Sequence, residues 1–70
     1  MKFGEVVQLY LEEQGISQSE LARRMGTGRQ TVSSLMEEKR VSPRLDTAVS
    51  VAAALGVPLQ EMVDRMREDA

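Results

Sequence analysis

The chain has no cysteine and no histidine. That removes disulfides, thiol nucleophiles, imidazole as acid, base or ligand, and zinc sites built on either residue. Most catalytic and metal chemistry goes with them, so no enzymatic activity, cofactor or metal is expected. No run approaches the roughly 18 apolar residues of a membrane span. The start, MKFGEVV, lacks the basic region and following apolar stretch of a signal peptide. The expectation is a cytoplasmic protein with no membrane partner. Strand-type alternation, repeats, linkers and low-complexity stretches are missing too, which points to one all-helical unit spanning residues 1–70. A chain of this length buries only about 60% of its surface, so its stability margin is thin.

Charge is present but unevenly placed. The formal net charge is −2 and the pI is near 5.0, whereas nucleic-acid-binding domains often have a pI above about 9. The distribution reverses that impression. Residues 1–22 carry Lys2 against four glutamates, net −3, and residues 45–70 carry Arg65 and Arg67 against five acids, also net −3. Residues 23–44 hold Arg23, Arg24, Arg29, Lys39, Arg40 and Arg44 against Glu37 and Glu38, net +4. A local basic face can bind phosphates while the remainder repels them.

Helical periodicity accounts for the apolar residues. Phe3, Val6, Val7, Tyr10 and Leu11 make one stripe, closed by Gly15. A second helix is predicted over Gln18 to Met25 with Leu21, Ala22 and Met25 inward, and a third from about Gly28 to Glu37 with Val32 and Leu35 inward. Ser42 and Pro43 read as N-cap and first residue of a fourth helix, whose stripe is Leu45, Ala48, Val49, Ala52 and Leu55, ending at Gly56. Pro58 starts a fifth, with Leu59, Met62, Val63 and Met66 on one face.

The segment from Ser17 to Glu37 is the most informative. Ser17 followed by Glu20 is a capping box, and Thr27 followed by Gln30 repeats it. Gly26 lies between them and can take positive φ, so two short helices meet at a tight turn and the second is exposed along its length.

Gln18, Leu21, Ala22, Gly26, Val32 and Leu35, followed by AAALGVPLQEMV, resemble the Cro/CI-type phage-repressor helix-turn-helix family, also called XRE, over about Val6 to Val63. The resemblance implies a compact five-helix lambda-repressor-like domain with its helix-turn-helix core at about 17–37. It also implies binding of a double-stranded operator, an imperfect palindrome, by a homodimer with the third helix in the major groove. Residue by residue it implies base contacts from Arg29, Gln30, Ser33 and Ser34. Phosphate contacts fall to Gln18, Thr27, Gly28, Thr31, Lys39, Arg40 and Arg44. Helical geometry agrees in part: with Val32 and Leu35 inward, steps of about 100° put Gln30, Ser34 and Glu37 opposite the core, flanked by Thr31 and Ser33. Leu59, Met62, Val63 and Met66 lie beyond what a small core needs and are the expected dimer surface.

The chain departs from the family pattern at three places. Glu38 stands where glycine is common, Gly28 where Ser or Thr is common, and Pro58 where a serine cap is usual. The expectation is a transcriptional regulator, a repressor by operator occupancy. The rival, which the acidic pI and the Glu37–Glu38 pair favour, is an interaction module or antitoxin-like protein that binds an unknown protein partner and has weak or lost DNA binding.

Overall fold

The computed structural model describes residues 1–37 and 44–67. Five helices follow in order: α1 (Phe3–Gln14), α2 (Gln18–Met25), α3 (Arg29–Glu37), α4 (Leu45–Leu55) and α5 (Leu59–Arg67). No strand occurs among the described residues, and none of these helices is long and apolar enough to cross a membrane. The all-helical reading holds. Ser42, Pro43, Glu38, Lys39 and Arg40 lie outside the described residues.

The stripe of α1 is buried as its spacing requires: Phe3, Val6, Val7, Tyr10 and Leu11 are all in the core. α1 packs on α3 and α5, and α2 packs on α3 and α4. At the head of α2 the Ser17 hydroxyl accepts from the Glu20 backbone N–H at 3.1 Å. Only this half of the predicted box forms, because the Glu20 carboxylate is taken by arginines. α2 ends at Gly26 with φ 73°. There the Thr27 N–H reaches the Ala22 carbonyl at 3.0 Å and the Gly26 N–H reaches Arg23 at 3.2 Å. This pair of bonds closes a helix only when the intervening residue is left-handed, which is why a glycine stands at the turn.

Three expectations change. The Thr27 hydroxyl makes no capping bond to Gln30; α3 begins one residue later, with the Thr31 N–H on the Gly28 carbonyl at 3.0 Å. α4 begins at Leu45, with Arg44 as an extended N-cap residue whose side chain makes no cap bond. The buried face of α4 is Ala48, Val51, Ala52 and Leu55, whereas Leu45 is 73% exposed and Val49 50% exposed. The reason is angular. The arc that α4 turns to the core centres on Ala48 and Leu55, and Leu45 and Val49 fall about 70° and 110° from it at 100° per residue.

On α5 the pattern divides. Met62 is fully buried within the chain's own core, which removes it from any dimer surface. Leu59 and Met66 are half-buried against that core, and Val63 is half-buried. Polar ties fix α5 to α1: the Tyr10 hydroxyl donates to Glu61. Arg65 lies 4.5 Å over the Tyr10 ring and donates to Glu13 at 3.0 Å. Burial first, then the Glu61 hydrogen bond and charge, push the Tyr10 hydroxyl up to about 12, so it remains a donor at neutral pH. α1 meets α3 where Gly4 lies against the backbone of Met36.

Candidate nucleic-acid interface

With Val32 and Leu35 in the core, α3 turns Arg29, Gln30, Thr31, Ser34 and Glu37 outward, all exposed. None of these side chains has a hydrogen bond or ion pair with another described residue. A helix surface of unengaged donors and acceptors is free to exchange water for another set of polar groups.

Ser33 differs from its neighbours. It is half-buried, and its hydroxyl donates to the Gln18 side-chain oxygen at 3.1 Å. Two residues expected at a DNA surface are therefore tied to each other across the α2–α3 angle. The bond uses the Ser33 proton and the Gln18 oxygen, leaving the Gln18 amide N–H groups uncommitted among the described residues. Position alone could not show this, because it depends on the crossing of two helices.

Thr27 and Thr31 border a cleft of about 210 Å³ that they share with Asp46, Thr47 and Ser50 of α4, over Met25 and Leu35. Asp46 accepts from the Thr47 N–H at 2.9 Å, so this carboxylate of the cleft wall is committed to the first turn of α4. Gly28 is exposed, and a Cβ there would meet nothing within 4 Å. The start of α3 is thus open to a close approach by phosphate, for which helix N-termini are suited.

The basic segment is smaller than its sequence implies. Glu20 receives Arg23 Nη2 at 2.7 Å and Arg23 Nε at 3.2 Å, and Arg24 Nε at 3.0 Å. Arg24 also reaches the Ala54 carbonyl at 3.5 Å. Hydrogen bonds from Arg23 and then Arg24 hold the Glu20 carboxyl below its ordinary range. Among the described cations of the segment, Arg29 and Arg44 make no ion pair, and both are exposed. The three-residue and four-residue spacings from Glu20 were the available signal for this triad.

Glu20→Gln is expected to release both guanidiniums from a fixed negative partner. Retention on a heparin column should rise to higher salt, because each added phosphate-like contact steepens the salt dependence by about 0.9. An unchanged elution salt would mean that Arg23 and Arg24 are already fully available.

Among comparisons with known proteins, a family model described as helix-turn-helix matches residues 7–62. No curated protein matches the chain.

Proposed function

The chain belongs to the helix-turn-helix family of Cro/CI (XRE) type, a family of DNA-binding transcription regulators, and from that premise we propose that it is a sequence-specific repressor acting by operator occupancy. The observation that carries this reading is the unengaged outer row of α3 beside a Gln18 held by Ser33.

In this reading α3 lies in the major groove. Arg29 pairs with guanine O6 and N7, Gln30 with adenine N7 and N6, and Ser34 contacts a neighbouring base edge. Ser33 contributes by aiming the Gln18 amide at a phosphate, a revision of its expected base-reading role. The open start of α3 at Thr27 and Gly28, with Thr31 and Arg44, adds backbone contacts, and Lys39 and Arg40 extend them along the chain. These contacts set affinity and register; the bases set preference.

One recognition helix reads few base pairs, so two copies are required for useful specificity. Among the described residues the large apolar side chains left exposed are Leu45 and Val49 of α4. With the half-buried Leu59, Val63 and Met66 of α5 they are the residues we assign to contact with a two-fold partner.

Selection of bound sequences from a random duplex pool at two salt concentrations tests the proposal. The expected result is an imperfect palindrome with half-sites about 10 base pairs apart. Arg29→Ala should cost about 1–3 kcal/mol on the selected duplex and relax one base pair, with non-specific affinity much less changed. A pool that shows no enrichment would refute operator binding and favour the protein-interaction module, which the acidic pI of about 5.0 and the pairing of Arg23 and Arg24 with Glu20 would then suit.

A further inference from the structure

Among the described residues all carboxylates but one are engaged. Glu13 receives Arg65, and Glu20 receives Arg23 and Arg24. Glu61 receives the Tyr10 hydroxyl. The amides of Gln8 and Gln60 reach Glu12 and Asp64, and the backbone N–H groups of Lys2 and Thr47 reach Glu5 and Asp46. Among the described residues only Glu37 has a carboxylate with no donor on it, and it is exposed on the last turn of α3.

Among the described residues nothing local favours a carboxylate there. The C-terminal end of a helix carries partial negative charge, so an acid in its last turn is unfavourable, and α3 has no basic residue in that turn to offset it. Beside DNA it also opposes phosphate. Its position along the helix supplies the reason that is otherwise missing. Seven residues bring Glu37 back to within about 20° of Gln30 and about 10.5 Å further along the axis, with Ser34 between them. Because a recognition helix lies along the groove, which is inclined to the DNA axis, that rise spans about two to three base-pair steps.

Arg29 can only donate, and Gln30 and Ser34 can donate or accept. Glu37 is the one pure acceptor in the exposed row of α3. The major groove offers it the N4 amino group of cytosine; adenine also has an N6 amino group but sets its N7 acceptor beside it, and guanine and thymine present acceptor oxygens.

We propose that Glu37 is a specificity-determining residue, accepting a hydrogen bond from cytosine N4 about two to three base pairs from the adenine specified by Gln30. This rests on the operator-binding reading above. The carboxylate lowers affinity for DNA in general and returns part of it only on sequences with cytosine at that position, so it sharpens preference.

The test compares sequence selection by the wild type, Glu37→Ala, Glu37→Gln and Gln30→Ala at one salt concentration. Affinities are then measured on the selected duplex and on a duplex with that C·G pair changed to T·A. The wild type should select cytosine about two to three base pairs from the position relaxed by Gln30→Ala, and should bind the T·A duplex about tenfold or more weakly. Glu37→Ala should bind the two duplexes equally, and Glu37→Gln should move the preference to adenine. Melting midpoints close to wild type would establish that the variants are folded, as the exposure of Glu37 leads one to expect.

If both Glu37 variants bind every sequence more tightly by one factor and select the same motif as the wild type, Glu37 only repels phosphate and the proposal fails. A wild type that selects no sequence overturns the operator reading itself, which separates the two failures.

Discussion

Met62→Ala is expected to cost about 2–5 kcal/mol of folding stability, the range for truncating a fully buried methionine that leaves a cavity. Met62 is wholly inside the chain's own core, among the largest side chains with no exposed surface. A domain of this size has a total stability of roughly 4–10 kcal/mol, so the loss removes a large fraction of it. Urea unfolding should show the midpoint falling with an unchanged slope, the signature of a stability change without a change in compactness. The shift should also be the same at low and high protein concentration. If Met62 served a subunit interface, its loss would instead scale with concentration. Met66→Ala is the control: Met66 is only half-buried against the core, and its truncation should cost markedly less. Equal losses at the two positions would contradict the burial assigned to them.

The contrast between Met62 and Met66 shows where sequence legibility stops. Both belong to one helical face, and no local rule distinguishes a residue that enters the core from one that rests on its edge. α4 makes the same point: the four-residue spacing of Leu45 and Val49 matches that of Ala48 and Ala52, but only the second pair is buried. Which arc of α4 turns inward is decided by α2 and α5, on which it packs. Features set within a few residues were legible. Ser17 caps α2, Gly26 ends it, and the α1 stripe is buried as its period dictates. Even local signals can compete, and the start of α3 moved past Thr27 to Arg29.

The site was legible to a similar depth. The outer residues Gln30, Ser34 and Glu37 follow from the inward positions of Val32 and Leu35 by helix geometry alone, whereas Arg29, nearer the edge by that geometry, came only with the family resemblance. Ser33 shares that neighbourhood, yet it is turned to Gln18 by the crossing of α2 and α3, a tertiary fact. The triad around Glu20 depends on three-residue and four-residue spacing and could have been read from sequence. Lys39 and Arg40, with Glu38, fall outside the described residues, so their places at the interface remain proposals.

Gly4→Ala should destabilise the fold even though alanine is the better helix former. In an unhindered helix interior the change from glycine would gain about 0.5–1 kcal/mol. Here a Cβ would lie 2.6 Å from the Met36 carbonyl oxygen, 3.1 Å from its Cα and 3.2 Å from its carbonyl carbon. The first distance is below any real contact of a Cβ, so α1 and α3 must move apart, and overpacking of this kind costs about 1–3 kcal/mol. The thermal midpoint should fall by roughly 4–8 °C for each kcal/mol of net loss. The obstacle is backbone, which separates this effect from ordinary side-chain crowding. Truncating the neighbour in a Gly4→Ala, Met36→Ala double variant should not restore stability, because the clashing atoms of Met36 remain. Met36 lies in the last turn of α3, so a displacement there tilts the helix that carries Arg29 and Gln30. Operator affinity should therefore fall together with the melting midpoint in Gly4→Ala, whereas Arg29→Ala should lower affinity and leave the midpoint in place. A Gly4→Ala protein as stable as the wild type, or one rescued by Met36→Ala, would show that the α1–α3 approach is looser than the geometry requires.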